Sequence, residues 1–236
     1  MSAPPYYPLM EIDGKEYFPF PYSLDPLSTT LSKGLIAVGL LAALSVFTSF
    51  VLVCFILYRI FAWRMHYHTF IGYNQYVILV LNLLIADLQQ SAAFLFSFHW
   101  IGQGKILAPS GPCTAQAWLL HSGDVSSGFF VLAIALHTYY TAVQGGRIGH
   151  RSFMAAILLT WIFAYFLTAI GLVHGDKYFV RAGAWCWVSE AYEPARLALH
   201  YIWVFIVQVS LTHSIALPCT LLPDSLDSSV QSSSTS

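Results

Sequence analysis

Five stretches of this chain, Gly34 to Tyr58, Tyr76 to His99, Cys113 to Val143, Ser152 to Val173 and Leu197 to Leu217, are long and apolar enough to cross a bilayer. A hydrocarbon core of about 30 Å takes roughly 20 helical residues at about 1.5 Å each, and every stretch meets that length. The first and fourth contain no Asp, Glu, Lys or Arg; the second contains only Asp87 and the third only Asp124. A soluble helix carries charge on the face that meets water. With 9% of residues charged and 57% apolar, there is too little polar surface to wet a globule of 236 residues. A buried core helix of a soluble protein explains one such segment, not five. The expected fold is all-α, a transmembrane helix bundle of five spans.

Orientation follows from positive charge in short loops. Arg59, Arg64, His66 and His68 lie between the first two spans, and Arg147, His150 and Arg151 between the third and fourth, with no acid in either loop. On the other side, Lys15, Lys33, Lys105, Lys177, Arg181 and Arg196 are spread over longer segments and interleaved with acids. The expectation is a multi-pass plasma-membrane protein with its N-terminus outside. Residues 1–33 then form an extracellular tail, 34–217 the bundle and 218–236 a cytoplasmic tail whose Ser-rich composition buries nothing and stays disordered. The N-terminal segment lacks the basic-then-apolar order of a cleavable signal peptide.

Cys113 and Cys186 both fall on the expected outer, oxidising side, where a bridge would pin the loop after the fourth span across the mouth of the bundle. Two unrelated outer cysteines are the alternative. Cys54 reads as a packing residue and Cys219 as a reduced cytoplasmic thiol. An ionisable side chain at mid-bilayer costs at least a few kcal/mol and marks a functional position. Asp87 and Asp124 sit at similar depth on antiparallel spans and are expected to face one polar cavity, with Ser91, Ser122, Ser126 and Ser127 supplying hydroxyls. A proton or cation is the natural third party to two such carboxylates.

Asn82-Leu83-Leu84-Ile85-Ala86-Asp87-Leu88, the Cys that opens the third span and a partner Cys in the second outer loop together resemble rhodopsin-like G-protein-coupled receptors. Trp161, and Ser127 fourteen residues after Cys113, fall where that family keeps a Trp and a Ser. The resemblance spans about residues 34 to 212. It implies a Cys113–Cys186 disulfide and an inner sodium or polar-core site at Asp87, Ser127 and Asn82. The family's Asp/Glu-Arg-Tyr triplet falls on His137-Thr138-Tyr139, so the switching Arg is missing. The surrounding Ala133-Ile134-Ala135-Leu136 and the Cys186-Trp187 pair resemble fungal receptors of the glucose-sensing and cAMP-receptor-like type. The chain ends just after the fifth span, which implies an incomplete seven-helix receptor with impaired signalling. An early stop or misplaced splice junction is the preferred explanation over a phosphorylatable tail.

What the resemblance then implies is a nutrient or small-molecule receptor whose ligand is lined by His99, Trp118, His121, Asp124 and Tyr201. Arg59, Arg64, Arg147 and Arg151, with His137 to Tyr139, are the expected cytoplasmic contacts for a heterotrimeric G protein. Membrane lipid and another copy, or a full-length receptor, are the other expected partners, and no cofactor is called for. One rival reading is an intramembrane zinc hydrolase built on His121, Asp124, His99 and His174 or His200. A second is a proton-coupled transporter using Asp87 and Asp124, although no internal repeat or broken helix pair supports it. Ten Lys and Arg dispersed along the chain give no footprint for nucleic acid.

Overall fold

The computed structural model describes residues 9–12, 14–66, 70–173, 175 and 177–213. His68, His174, Cys219, residues 214–217 of the expected fifth span and the Ser-rich tail 218–236 lie outside the described residues. Five helices are long and apolar enough to cross a membrane: α1 (Thr29–Phe61), α2 (Gln75–Gln103), α3 (Gly111–Ala142), α4 (His150–Val173) and α5 (Glu190–His213). The bundle is all-α apart from two small hairpins. One pairs β1 (Met10–Ile12) with β2 (Lys15–Tyr17), the other β3 (Phe179–Ala182) with β4 (Trp185–Val188), both antiparallel.

The helices overrun the apolar stretches because capping, not hydropathy, sets their ends. Ser28 starts α1 by accepting from the Leu31 N–H at 3.3 Å, so Thr29 to Lys33 are already helical. Asn74 caps α2 on the Tyr76 and Val77 N–H groups, and Gly104 stops it in the left-handed region at φ 65°. Ser110 caps α3 on Cys113, with Pro112 in the first turn where its missing N–H costs nothing. Ser189 accepts from Ala191, and Pro194 stands at the start of the next turn, so α5 begins seven residues before the expected Leu197. Glu190, Glu193 and Arg196 hid that first stretch from a hydropathy reading. Two turns are π-helical, Tyr139–Val143 at the end of α3 and Leu197–Tyr201 inside α5.

Helix α2 packs between α1 and α3, and α4 packs on α3. Helices gain no hydrophobic drive against one another in lipid, so close backbone approach matters more. At Gly123 of α3 an added Cβ would lie 2.8 Å from the Gln90 backbone nitrogen of α2, which makes this the tightest helix crossing near the polar residues. Gly128 is ordinary by comparison, with Val207 at 3.8 Å. Large apolar side chains point outward along α1 (Leu40, Leu41, Leu44, Phe47), α4 (Leu158, Leu159, Ile162, Phe166) and α5 (Phe205, Val209). Such a continuous apolar outer surface is tolerable only in hydrocarbon.

The main core lies at the N-terminal end of the bundle. It joins Leu35, Trp100, Ile106, Cys113 and Leu120 to Phe18, Tyr178 and Val188 from the flanking segments. Residues expected to form a tail are therefore part of this end: Phe18 N–H donates to Ala108 at 2.6 Å, Leu24 pairs with Ile106, and buried Ser23 bonds both the carbonyl and the N–H of Ala108. A smaller core of Leu79, Ala86, Phe130, Phe153 and Ile157 sits toward the opposite end.

Candidate functional site

The second hairpin is laid across the N-terminal end by a disulfide between Cys113 and Cys186. Gln116, one turn into α3 from that cysteine and fully buried, holds the same junction with both ends of its amide. Its Oε1 accepts from the Trp100 indole at 2.9 Å and from the Cys186 N–H at 3.0 Å, and its Nε2 donates to the Ala93 carbonyl at 3.2 Å. Nothing in a charge or hydropathy reading marks Gln116. A neutral amide in a membrane span, within a turn of a bridged cysteine, is the signal that was there to be used.

Beneath the hairpin lies a cluster of four side chains. His200, buried in the π-helical turn of α5, donates from Nε2 to Oδ2 of Asp124 on α3 at 3.0 Å. Asp124 Oδ1 also accepts from Nε2 of Gln90 on α2 at 3.2 Å, so one carboxylate ties three helices. His121, one turn above Asp124, donates from Nε2 to the Leu199 carbonyl at 3.0 Å, and its ring stands edge-on to that of His200 with centroids 5.0 Å apart. Trp187 of β4 closes over both rings, at 5.6 Å from His121 and 4.8 Å from His200. The extra residue of a π turn rotates the following side chains relative to a regular helix, and such turns concentrate at functional sites.

Two features make this cluster chemically open. The Nδ1 atoms of His121 and His200 are buried and have no hydrogen-bond partner among the described residues. With both Nε2 atoms donating, each Nδ1 of a neutral ring is an acceptor awaiting a donor. The Asp124 side chain, 38% exposed, borders a groove of about 230 Å³ between α3 and α5 that runs past Ser127, Trp203 and Val207 to Leu211.

The two acids expected to share a cavity occupy successive rungs of one ladder between α2 and α3. Asp87 Oδ1 accepts from the Ser127 hydroxyl at 2.6 Å; one turn along each helix, Gln90 meets Asp124. A charge-assisted hydrogen bond stabilises by about 1.5–3 kcal/mol. Carrying a carboxylate to mid-bilayer costs roughly 2.5–3.5 kcal/mol, so one hydroxyl offsets most of that cost but does not reverse it. Asn82 does not join them. Its Oδ1 accepts from the Trp161 indole at 2.8 Å and its Nδ2 donates to the Ile78 carbonyl, which fixes α2 to α4 and takes Asn82 out of the expected polar-core site. Of the serines, Ser126 bonds only its own helix, while Ser122 bonds the Trp118 carbonyl and accepts from Gln89. Ser91 pairs with Ser45 of α1 at 2.8 Å.

The five expected lining residues divide among separate places. His121 and Asp124 converge. Trp118 turns to α4, stacked on Tyr165 at 6.4 Å, whose hydroxyl donates to Gln89. The Tyr201 hydroxyl accepts from Arg196 at 3.1 Å, and the guanidinium also covers its ring. His99 lies at the far end of α2, against Trp100, bordering a different cleft. His200, omitted from the expected lining, meets His121 and Asp124 from the π-helical turn. Of the residues in the zinc reading, His99 stands apart from His121 and Asp124, His174 lies outside the described residues, and among the described residues no group of three or more His, Cys, Asp and Glu is placed to hold a metal ion.

At the opposite end, His137 is buried and its Nε2 donates to Oε1 of Gln75 at 2.6 Å, while Gln75 Nε2 donates to the Ile148 carbonyl at 2.8 Å. Thr138 bonds its own helix at Ile134. Arg64, Arg147 and Arg151 are exposed, and Arg59 is half-buried against the Phe55 ring.

A five-helix apolar bundle with a third helix disulfide-linked to a loop hairpin, and with its acids facing the bundle interior, is a G-protein-coupled-receptor-like membrane protein. The chain is similar to the ascaroside receptor GPR2 of Arthrobotrys oligospora, 27% identical over 143 residues. The match covers 57% of this chain and 34% of that receptor, so the chain spans about a third of the curated relative's length. No family model matches the sequence.

Proposed function

We propose that the chain recognises a hydroxyl-bearing small molecule from outside the cell, in the plasma membrane with its N-terminus outward, through the cluster of Asp124, His200, His121 and Trp187. The observation that carries this reading is the pair of buried Nδ1 atoms of His121 and His200, without a hydrogen-bond partner among the described residues, next to a carboxylate that faces a groove. Two acceptors beside one carboxylate suit a ligand that donates several hydroxyls, with an aromatic face from Trp187 for its apolar side. A simple ammonium ligand suits it less, because Asp124 is already bonded to His200 and Gln90.

Ascarosides are one ligand class, taken from the name of the similar receptor. Glucose-type nutrient sensing, from the resemblance at Ala133 to Tyr139, is the second. In this reading Asp87 and Ser127 hold a sodium ion or a proton. Arg59, Arg64, Arg147 and Arg151 face the cytoplasm, where a heterotrimeric G protein or a second receptor chain docks. The buried His137–Gln75 bond supports an inner end fixed by a neutral contact rather than by an acid–arginine pair.

The test is a thermal-unfolding titration of the full chain in lipid nanodiscs with a synthetic ascaroside and, separately, D-glucose. One of the two is expected to raise the melting temperature in the wild type and not in His121→Phe or His200→Phe, which keep a ring and remove the acceptors. A shift that both variants retain, or no shift with either compound, would overturn the assignment.

A further inference from the structure

We infer that the cleft between α3 and α4, at the end of the bundle away from the hairpins, is a second binding site, for an apolar alcohol that enters from the membrane. The cleft measures about 270 Å³ and shares no lining residue with the groove at Asp124. Buried Leu79, Phe130, Phe153 and Ile157 form its floor, and Ile148 of the α3–α4 loop completes the wall. Leu136, Tyr140 and Ala156 on the rim are exposed, and such apolar exposure places the opening in hydrocarbon. A cavity of about 150 Å³ holds benzene, so a volume of this size takes an apolar body of roughly ten to twelve carbons.

One buried atom decides the polar end of that ligand. His137 lines the cleft, is 6% exposed, and its Nδ1 has no hydrogen-bond partner among the described residues. The ring itself is held firmly. Its Nε2 donates to Oε1 of Gln75 at 2.6 Å, the Gln75 amide nitrogen donates in turn to the Ile148 carbonyl at 2.8 Å, and the Tyr76 and Phe153 rings meet it edge-on with centroids at 4.5 Å and 6.0 Å. A hydroxyl suits Nδ1 in either charge state of the ring, donating to it when the ring is neutral and accepting from it when the ring is protonated. No Asp, Glu, Lys or Arg lines the cleft, so a carboxylate, phosphate or ammonium would lose its water there without gaining a counter-charge. A polyol would strand its further hydroxyls on the apolar floor, and a plain hydrocarbon would leave Nδ1 unpaired. An alcohol seated here touches α3, α4 and Ile148, and so steadies the relay that runs from His137 through Gln75 to the loop.

The experiment uses the full chain in phosphatidylcholine nanodiscs, with a decanol that carries a mid-chain diazirine as the probe and mass spectrometry to locate the photolabel. Saturable labelling is expected in peptides of residues 130–140 or 152–160, with the diazirine decane at equal membrane concentration labelling at least about tenfold more weakly, the scale of one hydrogen bond. His137→Phe, which keeps a ring and removes Nδ1, is expected to lose labelling by a similar factor. Ala156→Phe, which fills the opening and leaves His137 intact, is expected to lose it too, and a melting curve matching wild type shows that this variant is folded. His200→Phe is expected to label as wild type, which separates this site from the one proposed above. Unlabelled decanol is expected to displace the probe and to slow amide exchange around Ile148. Equal labelling by alcohol and alkane, labelling that never saturates, labelling retained in Ala156→Phe or lost in His200→Phe, or unchanged exchange around Ile148 would each overturn the inference. Displacement by a sterol or a diacylglycerol as strong as that by decanol would overturn it as well, because the occupant would then be a bulk lipid.

Discussion

The two ends of this bundle are held together by different means. At the N-terminal end, three chain segments cross over one another and are locked by a disulfide, by the triply bonded Gln116 and by a core that includes Trp100, Tyr178 and Val188. At the opposite end, a side-chain relay from His137 through Gln75 to Ile148 and a Tyr76–Thr141 hydroxyl pair at 2.8 Å join α2, α3 and the α3–α4 loop over the smaller core of Leu79, Phe130 and Phe153, with exposed arginines around them and a cleft of about 270 Å³ beside them. A site meant to discriminate ligands needs fixed walls, whereas a surface meant to engage and release a partner needs low local stability. Under the proposed function, the tied end is the one that discriminates a ligand and the other the one that engages and releases a partner.

The largest effect that separates the ends is expected from the disulfide. Cys186→Ser opens a loop closed across 73 residues, worth about 4 kcal/mol by chain entropy. Hydrogen exchange should quicken across β3, β4 and the start of α3 while the amides around His137 keep their protection. Next comes Gln116→Leu, which strands the Trp100 indole and the Cys186 N–H and is expected to destabilise by about 2–4 kcal/mol in thermal unfolding. Gly123→Ala forces its new Cβ against the Gln90 backbone, and a loss of about 1–3 kcal/mol is expected, with the Gln90–Asp124 rung weakened.

Alkaline unfolding sharpens the contrast further. Burial pushes the Tyr178 phenol from 10 up to about 12. Its folded pKa lies above the unfolded one, so its contribution is complete below pH 10 and declines as pH rises through about 12. Melting temperature should therefore begin to fall above pH 10, and Tyr178→Phe should flatten that decline. The smallest effect is expected at the other end: Gln75→Ala should cost about 1 kcal/mol and raise exchange near Ile148 without touching the hairpins.

Sequence reading reached the bundle itself because twenty apolar residues in a row have one physical meaning. It also singled out Asp87, Ser127 and Asp124, since a lone acid in such a run is conspicuous and Ser127 has a family position, and the first two are hydrogen-bonded to each other. It missed the partners. Gln90, Gln89 and Gln116 are neutral, so neither charge nor hydropathy marks them, yet their amides bridge the helices. His200 was assigned only to the zinc alternative because a regular helical spacing does not foresee the π turn at Leu197–Tyr201. The second hairpin went unread, although Gly183 and Ala184 stand between the Phe179–Ala182 and Trp185–Val188 runs and Gly183 adopts φ 78° in that two-residue turn. Asn82 was read with Asp87 from a motif, whereas its contact with Trp161 depends on how α4 is set against α2.

The claim on which the rest depends is that the tied end, with Asp124 below it, opens outward. It is tested most directly by single cysteines and a membrane-impermeant thiol reagent on intact cells, with Cys54 and Cys219, the two cysteines outside the disulfide, replaced by Ala. Asp124→Cys is predicted to be labelled from outside, and Arg64→Cys only after the membrane is permeabilised. Labelling of Arg64→Cys in intact cells, with Asp124→Cys reached only from within, would contradict the account.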